Sequence, residues 1–86
     1  MTTHSLSMSL RNEQGGLARV VVLFSSRGVG VERLSLRPAG PGGLFLLDVE
    51  VALPPGRSPA QLVEQLRRLV DVREVRHTDE ELELGA

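Results

Sequence analysis

Eighty-six residues make a single domain, 41% hydrophobic, with ten basic and eleven acidic residues summing to a formal net charge of −1, an ordinary balance for a soluble globular chain. There is no cysteine and no lysine, so disulfides, thiolate metal sites, cysteine nucleophiles, Schiff-base chemistry and a P-loop are excluded. Tyrosine and tryptophan are absent and phenylalanine occurs only at 24 and 45, which with the near-neutral charge leaves no stacking platform and no basic stripe for nucleic acid.

The opening Met1-Thr2-Thr3-His4-Ser5 has no basic start and no apolar run, and no window approaches a membrane span. A cytoplasmic protein is expected, with residues 1–4 disordered and outside the domain. From Ser5 to Arg11, Leu6, Met8 and Leu10 alternate with Ser5, Ser7, Ser9 and Arg11, the period of a half-buried strand. Asn12-Glu13-Gln14-Gly15-Gly16 then turns the chain into an apolar helix in which Leu17, Val20, Val21 and Phe24 recur at helical spacing until Arg27-Gly28. Ala18, Val22 and Leu23 make this helix apolar beyond the stripe one sheet covers. Either a second apolar contact or a wide core stripe accounts for them.

Val29 to Arg37 reads as a second strand with Leu34 and Leu36 on one side, and the Pro38–Gly43 run as a loop. Leu44 to Leu53 is a third strand, alternating Phe45, Leu47, Val49, Val51 and Leu53 with a more polar set. Ser58 is a good N-cap, Pro59 suits the first helical position and Gln61 sits where a capping box needs it. Leu62, Leu66, Leu69 and Val70 form the apolar stripe of that second helix. Val72 to Thr78 closes the set as a short strand, with Val75 in the core. Residues 79–86 read as a frayed acidic tail whose Leu82 and Leu84 could dock on a partner.

Strand, helix, strand, strand, helix, strand over this length fits a ferredoxin-like α+β sandwich, a four-stranded antiparallel sheet with both helices on one face. A domain this small buries only about 60% of its unfolded-chain surface, and its sheet has two edges, so a homodimer or larger assembly is expected. Catalytic candidates are poor. His4 and His77 lie near opposite chain ends without metal-ligand spacing and read as surface residues, so no metal is expected. The first turn is more informative: the start of a helix offers backbone N–H donors and partial positive charge, and Gly15 and Gly16 would let a carboxylate approach them. The alternative is that the glycines only bend the chain.

Asn12-x-x-Gly15-x-Leu17-x-Arg19-Val20 at the first strand-to-helix junction, followed by Leu23-Phe24-Ser25-x-Arg27-Gly28, resembles an ACT domain. The run Val31-Glu32-Arg33-Leu34 and the segment Gln65-Leu66-x-x-Leu69-Val70-Asp71-Val72 are similar to the regulatory small subunits of acetolactate synthase, also called acetohydroxyacid synthase. The resemblance spans about residues 5–78, which would be the ACT domain. It implies a non-catalytic subunit, without a cofactor of its own, that binds and activates the thiamine-diphosphate catalytic subunit of branched-chain amino-acid synthesis. In many members of that family valine gives feedback inhibition.

The resemblance further implies that a branched-chain amino acid sits between two ACT domains. The matching positions are Asn12, Gly15, Gly16 and Leu17, with Gly30 and Val31 from the neighbouring copy. Valine-sensitive members commonly have asparagine where this chain has Gly30. Longer members continue into a second domain, so the chain resembles the short, single-domain form. The competing readings are a free-standing amino-acid sensor and a small ferredoxin-like enzyme such as an acylphosphatase. The latter needs an arginine in its anion loop, and there is none between Asn12 and Ala18.

Overall fold

The structure is a computed structural model and describes residues 2–13 and 15–78. Its elements run β1 (Thr2–Arg11), α1 (Gly16–Ser26), β2 (Gly30–Pro38), β3 (Leu44–Leu53), α2 (Pro59–Arg67) and β4 (Val72–His77). The four strands form one antiparallel sheet in the order β2-β3-β1-β4, the ferredoxin-like arrangement expected of this element order. The two hydrophobic central strands are thus flanked by β2 and β4 as edges.

Alternation along the strands decides which face is covered. Leu6, Met8 and Leu10 of β1 and Leu47, Val49 and Val51 of β3 point to the helices and are buried. They pack with Val20 and Phe24 of α1, Leu62, Val63 and Leu66 of α2, and Val72 and Val75 of β4. The opposite face carries Ser5, Ser7 and Ser9 and the cross-strand ion pairs Arg33–Glu50 (3.5 Å) and Arg37–Asp48 (3.9 Å).

Several boundaries differ from the sequence expectation for identifiable reasons. β1 begins at Thr2, paired with Leu53, so residues 2–4 belong to the sheet rather than lying outside it. Thr2 and His4 continue the phase of Leu6, but their polar character hid the strand. α2 starts at Pro59 with Ser58 Oγ accepting the Gln61 N–H at 3.4 Å, and it ends at Arg67. Leu69 and Val70 therefore lie in the turn to β4, and Val70 is 87% exposed instead of extending the apolar stripe. The acidic stretch 79–86 lies outside the described residues.

Candidate functional site

The first turn is assembled from three parts of the chain. β1 ends at Arg11, whose N–H donates to the carbonyl of Asp71 at 2.9 Å, tying the strand end to the turn before β4. Arg19, one turn into α1, reaches the Asp71 carboxylate from the other side. Asn12 folds its side chain back so that Oδ1 accepts the Leu17 N–H at 3.0 Å. Gly15 is the N-cap, at φ +85°, and its carbonyl receives the Arg19 N–H at 3.1 Å.

The first helical N–H groups have no partner inside a helix; Asn12 takes that of Leu17, leaving those of Gly16 and Ala18 without an acceptor inside α1. With its Oδ1 used as an acceptor, Asn12 presents its Nδ2 donors. The arrangement suits a small carboxylate. The two glycines are unlike: Gly15 is exposed with open space where a Cβ would stand, whereas Gly16 is buried. A Cβ on Gly16 would lie 2.1 Å from the Arg11 carbonyl oxygen and 3.2 Å from Asp71 Cβ, so its small size is required by packing. Leu17 is half-buried against the core.

Gly30 and Val31 lie elsewhere. Gly30 pairs with Ala52, which pairs with Thr3, so the start of β2 is level with the start of β1. Asn12 follows the other end of β1, about 30 Å away at the usual rise of a strand. Within one copy the six expected ligand residues form two separate groups. Gly30 and Val31 are both exposed on the edge strand, and a Cβ on Gly30 would meet Ala52 Cβ at an ordinary 3.7 Å. The Arg19–Asp71 pair that fixes the first group, 52 residues apart, had no local signal in the sequence.

The ACT-domain family matches residues 12–75. The chain belongs to the ACT-domain family. It is 38% identical over 76 residues to the acetolactate synthase small subunit of Haemophilus influenzae, covering 88% of this chain and 46% of the relative. Among solved structures it is similar to the acetolactate synthase small subunit from Thermotoga maritima, with a TM-score of 0.77 and 26% identity over 90% of this chain and 47% of that one. The ACT domain from GTP pyrophosphokinase of Chlorobium tepidum has the same fold, with a TM-score of 0.70 at 14% identity over 86% of this chain and 94% of the other. The chain thus spans about half the length of the curated relatives it matches. Among the described residues no helix is long and apolar enough to cross a membrane.

Proposed function

We propose that this ACT domain acts as a non-catalytic regulatory subunit of acetolactate synthase, binding and activating the catalytic subunit in the cytoplasm. The observation that carries the reading is 38% identity to a protein named as that enzyme's small subunit, over nearly the whole fold. The proposal assigns the chain no cofactor.

A branched-chain amino acid, valine in the first instance, is proposed to bind between two copies. β2 is an edge strand, and Val31 and Leu34 on it and Val21 on α1 are exposed. Antiparallel pairing of two β2 edges would cover them and extend the sheet. In that pairing the partner's β2 start lies beside the end of β2 at Pro38. Pro38 pairs with Phe45, which pairs with Leu10, so this is the end of the sheet that carries the Asn12–Leu17 turn. The symmetric dimer then has two sites. Each takes donors from Asn12, Gly15 and Gly16 of one copy and an apolar wall from Leu17 together with the other copy's Val31.

Mixing the purified chain with an acetolactate synthase catalytic subunit should raise turnover and give co-purification. Failure of both would overturn the subunit reading. Calorimetry with valine, leucine and isoleucine tests the ligand site separately, and binding without any effect on the enzyme would point to a free-standing amino-acid sensor. Gly30→Asn has steric room and adds an amide to the site, so it should tighten valine binding. An unchanged titration would remove Gly30 from the site.

A further inference from the structure

Two carboxylates flank the turn that leads into α1, and they are held differently. That of Asp71, on the β4 side, is engaged by Arg19. That of Glu13 is 63% exposed, and the cation beside it, Arg11, stands 3.7 Å away, longer than a hydrogen bond. Glu13 lies over the loop between β2 and β3. A Cβ on Gly43 would come within 2.9 Å of Glu13 Oε1 and 3.5 Å of its Cγ, so a glycine at this position, φ +74°, leaves the carboxylate its place. Other acceptors around the turn already have donors: Asn12 Oδ1 takes the Leu17 N–H, the Gly15 carbonyl that of Arg19 and the Asp71 carbonyl that of Arg11.

We infer that Glu13 receives the ammonium group of the amino acid and so makes the site selective for a zwitterion over a simple carboxylate. This role rests on the amino-acid site proposed above and adds the half of the ligand that backbone donors cannot hold. An α-amino acid carries its anion and its cation on one carbon. The Gly16 and Ala18 N–H groups and the Asn12 amide suit the anion, but a site built only of donors repels the ammonium. Glu13 follows Asn12 directly, with Cα atoms about 3.8 Å apart, so donors and acceptor come from neighbouring residues, as two groups on one carbon require. An ionised carboxylate has two oxygens and about four acceptor sites, so holding Arg11 does not fill it. Its side of the turn also fits. β3 and then β2 lie on the side of β1 away from β4, and Glu13 leans over the loop that joins them, the side from which a second copy would approach the β2 edge.

Calorimetry with valine and with 3-methylbutanoate, the same skeleton without the ammonium, tests this role. The wild type should bind valine about tenfold or more tightly than 3-methylbutanoate, the scale of one charge-assisted hydrogen bond. In Glu13→Gln, which keeps only a neutral acceptor, the preference should fall to about threefold or less, through weaker valine binding with 3-methylbutanoate bound at least as well as before. Glu64→Gln removes the same charge from α2 and should keep the wild-type preference. Circular dichroism and sedimentation check that each variant is folded and assembled like the wild type. Three results would each overturn the role of Glu13 while leaving the site in place: no preference for valine in the wild type, an intact preference in Glu13→Gln, or an equal loss in Glu64→Gln. Binding of neither ligand to the wild type would overturn the site itself, and the role of Glu13 with it.

Discussion

Gly15 and Gly16 are adjacent, yet the chain needs them for different physical reasons. Gly15 takes a left-handed conformation at φ +85° with open space where a Cβ would stand, so Gly15→Ala costs only the backbone penalty, about 1 kcal/mol. Gly16 has an ordinary helical backbone but no space, because the Arg11 carbonyl occupies the place of a Cβ. Gly16→Ala must push α1 away from the end of β1, with an expected loss of about 3 kcal/mol. Urea unfolding midpoints should rank wild type above Gly15→Ala above Gly16→Ala, with similar slopes. Equal midpoints for the two variants would contradict the packing role. A pair of glycines before an apolar run reads in sequence as a permissive turn; which of them is permissive and which is crowded depends on where Arg11 and Asp71 end up.

At the scale of the elements, α1 shows how periodicity selects a face and where it stops being informative. Val20 and Phe24 are fully buried and Leu17 is partly so, as helical spacing predicts, whereas Val21 of the same stripe is 41% exposed and Leu23, outside that stripe, packs against the core. Val22 is 64% exposed although its sequence character is the same as that of Val20. It lines a shallow apolar groove with Ala18, Leu23 and Leu69, the surplus apolar surface that the composition of the helix pointed to. Phe24→Ala should leave a core cavity and cost about 3–5 kcal/mol, a large share of a total stability of about 5–15 kcal/mol. Val22→Ala should change stability by less than about 0.5 kcal/mol. Thermal unfolding of the two variants checks the assignment of faces. α2 is the complementary case: its start was legible because Ser58 and Pro59 are local signals, while its end was not, because Leu69 and Val70 leave the helix to bring Asp71 under Arg19.

For the molecule as a whole, the unpaired β2 edge and the exposed Val31 and Leu34 beside it are the features that a second copy would cover. Leu34→Lys places a charge on that strip without touching the buried core. In sedimentation experiments the wild type should run as a dimer or larger and Leu34→Lys as a folded monomer with reduced valine binding. A monomeric wild type would remove the composite site. The same experiment bears on activation of the catalytic subunit, since a monomer that still stimulates turnover would separate partner binding from the amino-acid site.

The sequence by itself determined the elements and their order, because alternation, helical spacing, N-caps and Pro/Gly turns are local properties. β3 spans Leu44–Leu53 in both readings, and the resemblance carried by Asn12, Gly15 and the two later runs named the family. Tertiary structure decided what depends on strand pairing. It separated Gly30 and Val31 from the first turn of the same copy by the length of the sheet, gave Gly16 a packing role within that turn, and joined His4 to His77 across 73 residues. No window of sequence contains those relations, because they are set by the antiparallel register of β1 with β3 and β4 and not by the residues adjacent to each site.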